Sequence, residues 1–290
     1  MSPSRPFVDP RTLLARHGLR PKKSFGQNFL VASAIVEKIA DLCIPQLPCR
    51  VIEIGAGLGT LTAALLDRGA DVVAIERDRD LVPVLQRELA EDVERGALHI
   101  VEADAATIDL EPWLDFEGAR VLAGNLPYQI TGRLLERATT LRMRVDRVVV
   151  MVQREVAERL VAKAGGDAYG QLSVFAQASF DVRRSLLVSA GCFHPMPEVE
   201  SAVVTLSPHA TPRAEETETF RKVVHGAFGA RRKTLRNAIS ALLDSPARKE
   251  AVERTGIDLK RRGETLTVEE FETIARALDG TRVAPSSSTS

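Results

Sequence analysis

The sequence predicts a doubly wound α/β fold with a mostly parallel sheet, followed by a small all-helical C-terminal domain. Three observations carry this. Short β-branched runs alternate strictly with helical stretches from about residue 50 to residue 164, the pattern of parallel strands joined by crossover helices. A glycine-rich turn, Gly55-Ala-Gly-Leu-Gly59, directly follows the first of these runs, where the chain must bend sharply and let a ligand approach its backbone. From Glu215 onward no strand pattern recurs, and apolar residues fall at helical spacing instead.

Taken in order, the first element is an amphipathic helix over 33–43, with Ile35, Val36, Ile39 and Leu42 on one face and Ser33 as its N-cap. Strand-like runs follow at 50–54, 71–75, 98–101, 120–123 and 146–153. Between and after them lie helical stretches at 60–68, closed by Gly69; 80–95, closed by Gly96; 133–139; and 154–164. Beyond Gly165-Gly166 come a helix around 171–178 and two strand-like runs, 184–189 and 201–206, able to extend the sheet antiparallel; the turn-rich stretch 192–197 separates them. Residues 210–216 read as a linker. Phe220, Val223, Val224, Ala227 and Phe228, then Leu235, Ile239 and Leu242, then Val268, Phe271, Ile274 and Leu278 mark the helices of the second domain. The expected division is residues 1–209, with the basic segment 1–32 included, then 210–280, then a disordered tail, 281–290.

Composition narrows the function classes. No apolar run among the 290 residues approaches the roughly 20 that a membrane-spanning helix needs. Cys43, Cys49 and Cys192 are odd in number and lack metal-ligand spacing, which argues against a disulfide framework and a zinc site and for a reducing cytoplasm. Lys plus Arg balances Asp plus Glu, 39 against 39, but the distribution is uneven. Basic residues, Lys22 and Lys23 among them, crowd the first 30 positions, and Arg231, Arg232, Lys233 and Arg236 crowd the second domain. By charge alone these runs read as solvated surface.

The glycine turn is G-x-G-x-G with Glu53 two residues before it, not the G-x-G-x-x-G of a dinucleotide fold. An acid so close to the loop suits a ligand that carries positive charge, and S-adenosylmethionine is such a ligand. Glu76 ends the second strand about 20 residues on, where a carboxylate can accept both hydroxyls of an adenosine ribose. Asp104, with Ala105 beside it, ends the third, where an acid can accept from the adenine amine. A single strand-end acid is commonly just solvated. Three beside a glycine turn, at the carboxyl ends of parallel strands, mark a binding crevice.

Strand four runs into Asn125-Leu126-Pro127-Tyr128. One reading is a proline turn with Tyr128 packed on the core. The other is methylation of an exocyclic base amine, a poor nucleophile whose lone pair is delocalised into the ring. Hydrogen bonds from that amine to the Asn125 side-chain oxygen and to a backbone carbonyl, that of Leu126, would favour a pyramidal nitrogen without a strong base. Pro127 would fix the turn and Tyr128 would stack on the base. The target nucleotide must then be flipped out or single-stranded. Phe193, in Gly191-Cys-Phe-His-Pro-Met-Pro197, reads as an exposed loop aromatic and a candidate second stacking face. His194, Trp113 and the other histidines read as structural.

Five segments together, Lys22-Lys-Ser-Phe-Gly-Gln-Asn-Phe-Leu30, Glu53-Ile-Gly-Ala-Gly-Leu-Gly59, Asn125-Leu-Pro-Tyr128, Val199-Glu-Ser-Ala-Val-Val204 and Arg231-Arg-Lys-Thr-Leu-Arg-Asn237, resemble the rRNA adenine dimethyltransferase family over about 19–278. The resemblance implies a Rossmann-like class I methyltransferase fold. It further implies transfer of two methyl groups from S-adenosylmethionine to the N6 amine of each of two adjacent adenosines, in the hairpin near the 3′ end of small-subunit rRNA. It adds Asn28 and Leu30, with Asn125, to the cofactor contacts, and makes Lys22, Lys23 and the basic residues of the helical domain contacts to rRNA phosphates in the small ribosomal subunit. A monomer is the family default. Ala56 stands where the glycine loop commonly has Pro, and Met196 and Glu198 replace a usual Pro and Lys near Phe193. The G-x-G-x-G spacing argues against a nicotinamide dehydrogenase. The match at 231–237 argues against a related large-subunit rRNA methyltransferase, and intact Asn125-Leu-Pro-Tyr128 against an assembly factor that has lost turnover.

Overall fold

A computed structural model describes residues 5–125, 137–230 and 233–280. The chain forms two compact units, one running up to Ala157 and again from Asp181 to Pro208, the other from Glu158 to Phe180 and again from His209 onward.

Nine strands are described in chain order: β1 (Phe29–Leu30), β2 (Cys49–Ile54), β3 (Asp71–Glu76), β4 (Leu98–Glu102), β5 (Ala119–Asn125), β6 (Arg147–Gln153), β7 (Phe180–Val188), β8 (Phe193–His194) and β9 (Ser201–Pro208). Seven form one sheet in the order β4-β3-β2-β5-β6-β9-β7. From β4 to β6 the neighbours are parallel, and β9 runs antiparallel to β6. Val51, Ile52, Val72, Val73, Val121 and Val149 are buried to 1% exposure or less, which is why these strands read as continuous apolar runs and not as alternating ones. The helices Ser33–Cys43 and Thr60–Asp67 close the core through Val36, Ile39, Ala40 and Leu65.

Strand order reverses between β2 and β5, and there the two strands approach closely. Ile54 pairs with Gly124, and a Cβ at Gly124 would lie 2.3 Å from the Ile54 carbonyl oxygen. Glycine at this position is therefore a packing requirement. It puts the ends of β2 and β5 side by side at the switch point, where open α/β sheets bind ligands.

Two local expectations change. Ser33 is the first helical residue, and Ala32, which has no capping side chain, holds the N-cap position. The helix expected over 80–95 is two, Val82–Glu88 and Ala90–Glu94. Leu89 between them leaves helical geometry (φ −121°, ψ 28°) and packs its side chain against Gly59. The helix expected at 133–139 lies largely outside the described residues.

In the second unit, Gln171–Ser179, Glu218–Gly229, Leu235–Ala238, Pro246–Glu253 and Val268–Asp279 are helical. Phe220, Val223, Val224, Leu235, Ile239, Phe271, Ile274 and Leu278 share one buried core, as their spacing predicts. The break expected at 209/210 falls beside His209, where the second unit resumes, but that unit also takes in Glu158–Phe180. Tyr169, Val174 and Ala178 belong to this same helical core, and Gln177 donates to the Leu160 and Ala162 carbonyls at 2.9 and 2.8 Å. Within the expected linker Ala214 alone is buried, 3% exposed and part of this core. The expected tail beyond Gly280 lies outside the described residues. Among the described residues no helix is long and apolar enough to cross a membrane, and no cluster of side chains suits a metal ion.

Candidate functional site

A cleft opens in the α/β unit at the carboxyl ends of β2, β3, β4 and β5. Its floor is the glycine turn. Gly55, Gly57 and Gly59 have φ of 73°, 62° and 79°, which side chains rarely adopt. Gly55 and Gly57 line the cleft. Gly59 does not reach it: it caps the helix Thr60–Asp67, and a Cβ there would lie 2.8 Å from the Leu85 side chain.

Glu76, at the end of β3, is 6% exposed. One carboxylate oxygen accepts from the Gly57 N–H at 2.8 Å and the other from the Asp78 N–H at 2.7 Å. Burial raises its pKa, and these backbone donors partly offset that. Glu53 is 2% exposed and accepts from the Thr62 hydroxyl at 2.6 Å. Burial pushes its carboxyl up to about 8; the Thr62 hydrogen bond opposes this and the Glu76 charge adds to it. The negative charge expected at Glu53 is thus mostly absent at neutral pH, and a cation placed beside it would restore it. Asp104, after β4, accepts from the Ala106 N–H at 2.9 Å and faces Arg77 at 3.4 Å, with Ala105 next to it in the cleft wall.

Across the switch point, Asn125 ends β5. Its side-chain nitrogen donates to the Asn28 carbonyl at 3.1 Å. That bond fixes which end of the amide is which, so the side-chain oxygen remains as an acceptor that no described residue engages. Asn28 in turn donates to the Gly26 carbonyl at 3.0 Å. Leu30 pairs with Phe193 in the two-stranded ladder of β1 and β8. Phe193 is not the exposed loop residue expected: it is 5% exposed, held in that ladder, and lines the cleft from the side.

Asn28, Leu30, Glu53, Gly55 and Gly57 therefore meet Glu76, Asp104, Ala105, Asn125 and Phe193 around one cleft. Leu126, Pro127 and Tyr128 lie outside the described residues, as do Arg231 and Arg232. Lys22 is elsewhere and already neutralised, 2.5 Å from Asp78 and 2.7 Å from Asp80; Lys23 is exposed beside it. In the helical unit Lys233 is exposed and Arg236 pairs with Glu253 at 2.8 Å. Spacing arguments miss Phe25, Gln27 and Arg77, which also line the cleft. Arg77 and Lys22 stand 5.6 and 5.4 Å from the Phe25 ring centre, an arrangement with no periodic signal in the sequence.

Comparison with known proteins bears on the family and the fold. Ribosomal RNA small subunit methyltransferase A of Anaeromyxobacter dehalogenans (strain 2CP-C) is 45% identical over 284 residues, 94% of this chain and 98% of that protein. The protein of the same name from Myxococcus xanthus is 43% identical over 93% of this chain and 95% of its own length. The fold matches the crystal structure of a dimethyladenosine transferase from Plasmodium falciparum with a TM-score of 0.73 at 22% identity, covering 87% of this chain and 98% of that one. The description "Ribosomal RNA adenine dimethylase" matches residues 18–279, so this chain belongs to the ribosomal RNA adenine dimethylase family.

Proposed function

We propose that this chain transfers methyl groups from S-adenosylmethionine to the N6 amines of two adjacent adenosines in the 3′-terminal hairpin of small-subunit rRNA, acting as a cytoplasmic monomer on the small ribosomal subunit. The observation that carries this reading is Asn125, held by the Asn28 carbonyl with its side-chain oxygen left as an acceptor beside the glycine turn.

The residues present fit the cofactor. Two glycines clear the floor of side chains, Glu76 is fixed by two backbone donors at the position that suits ribose hydroxyls, and buried Glu53 awaits a cationic neighbour. Bound there, S-adenosylmethionine supplies an electrophilic methyl group. The protein's part is to orient the amine: Asn125 accepts one of its N–H groups, which localises the lone pair on nitrogen without removing a proton beforehand. The Leu126 carbonyl as second acceptor and Tyr128 and Phe193 as stacking faces complete the proposal, together with phosphate contacts from Lys23, Arg231, Arg232, Lys233 and Arg236.

The test is incubation with labelled S-adenosylmethionine and small subunits from cells lacking the modification, followed by mass analysis of the 3′-end fragment. Two methyl groups on each of two neighbouring adenosines are expected. Incorporation into large-subunit rRNA alone would overturn the substrate, and none in either would overturn the activity.

A further inference from the structure

The segment from Ser24 to Leu30 forms one wall of the cleft, yet the carboxylate that anchors it, through Lys22 and Gln27, lies outside the sequence motifs. Asp78, in the turn after β3, is 2% exposed. Its side chain accepts from the Lys22 ammonium at 2.5 Å, from the Gln27 amide at 2.6 Å and from the Asp80 N–H at 3.1 Å. Gln27 closes the ring by accepting from the Lys22 N–H at 2.8 Å. The same Asp78 donates its own N–H to Glu76, whose other oxygen holds Gly57. One turn thus touches the wall, the glycine floor and the acid between them.

We propose that Asp78 is a positioning residue for the cofactor, tying the Ser24–Leu30 wall, through Lys22 and Gln27, to the turn that sets Glu76, so that wall and acid are held as one element. This rests on the cofactor reading above. A charged, buried carboxylate with three donors is a strong clamp, because charge-assisted hydrogen bonds in a partly dry site are about twice as strong as neutral ones. Its far end matters equally: Asn28, within the clamped segment, is the residue that orients Asn125. Loosening the clamp widens the cleft before it touches the reacting amine.

The experiment is calorimetric titration of S-adenosylmethionine into the full chain and into Asp78→Asn and Lys22→Met variants, with KM and kcat measured on small subunits. Both variants should raise Kd and KM for the cofactor, Asp78→Asn by at least about tenfold, the scale of one lost charge-assisted bond, with kcat changed less than KM. Trypsin should also cut faster at Lys23 in Asp78→Asn, and cofactor should protect it less. A purely structural role would lower the melting temperature of Asp78→Asn and leave Kd of the folded fraction unchanged. Lys22→Met changes a half-exposed side chain, so it tests the clamp even where Asp78→Asn folds poorly. Unchanged Kd in both variants would overturn the inference, whereas a wild-type chain that binds no cofactor would overturn the function reading itself.

Discussion

In the helical unit a buried carboxylate, Glu272, is answered one turn along its own helix by Arg276, 2.6 Å away and itself largely exposed. In the α/β unit, Glu53, Glu76 and Asp78 are buried as deeply at the ends of β2 and β3, and only Asp78 meets a cation. Glu53 is answered by a hydroxyl and Glu76 by backbone N–H groups. Desolvation of a charge is costly unless a countercharge offsets it. The helical unit supplies that countercharge from its own sequence. The cleft leaves two carboxyls without one, the condition under which a ligand with positive charge and hydroxyls gains most.

The sharpest way to break this comparison is at Asn125, the residue proposed to orient the reacting amine. Asn125→Ala should lower methyl incorporation by about 10²-fold or more, the scale seen when one positioned hydrogen-bonding group is removed from a transition state. Its folded stability should change little, because the side chain is half-buried and makes a single bond to Asn28. Incorporation within threefold of the parent would remove Asn125 from the mechanism.

Glu76→Gln comes next. A carboxylate accepts on both oxygens, but an amide must turn its NH₂ toward either the Gly57 or the Asp78 N–H, leaving donor against donor. The expected costs are about 1–3 kcal/mol of stability and a cofactor Kd raised at least about tenfold. The matching change in the helical unit, Glu272→Gln, faces only an exposed arginine and should cost under about 1 kcal/mol with Kd unaltered. Equal effects on Kd would show that the contrast in buried charge has no functional content.

Glu53 gives the comparison a pH dependence. Its folded-state value of about 8 lies above the ordinary 4.5, so the folded protein keeps a proton that the unfolded chain releases between those values. Stability is fully present below about pH 4.5 and is lost as pH rises through 8, by roughly a few kcal/mol at most. Glu76, raised in the same direction, adds to the slope. Denaturant melts across pH 5 to 9 should therefore show a midpoint falling toward the alkaline end, and Glu53→Gln should flatten that fall. A parent protein with no such slope would contradict the buried, largely neutral Glu53.

What could be read beforehand follows from how local each feature is. The parallel strands were legible because burial on both faces writes itself as unbroken β-branched runs, and the glycine turn with its strand-end acids was legible because all lie within a few residues of a strand end. The clamp was not. Lys22 and Asp78 are 56 positions apart, and Lys22 reads as free positive charge until Asp78 and Asp80 are seen beside it. Phe193 reads as an exposed loop aromatic because its partner strand, Phe29–Leu30, is two residues long and separated by most of the unit. Residues 158–180 read with the sheet for the same reason: in sequence order they precede two sheet strands, whereas Tyr169 and Val174 pack with helices that come later.

The smallest expected effect sharpens the contrast from the helical side. Thr267 caps the helix Val268–Asp279, accepting from the Glu270 N–H at 3.3 Å while Glu270 accepts from the Thr267 N–H at 2.8 Å. Arg261 also holds the Glu270 carboxylate, which keeps its pKa low. Thr267→Ala removes one side of this reciprocal pair and should cost about 1 kcal/mol, read as a small drop in melting temperature. The cofactor Kd should not move, because neither Thr267 nor Glu270 is among the residues that line the cleft. A shift in Kd comparable to that of Glu76→Gln would mean that stability anywhere in the chain sets cofactor affinity, and the separation drawn between structural and ligand-directed carboxylates would fail.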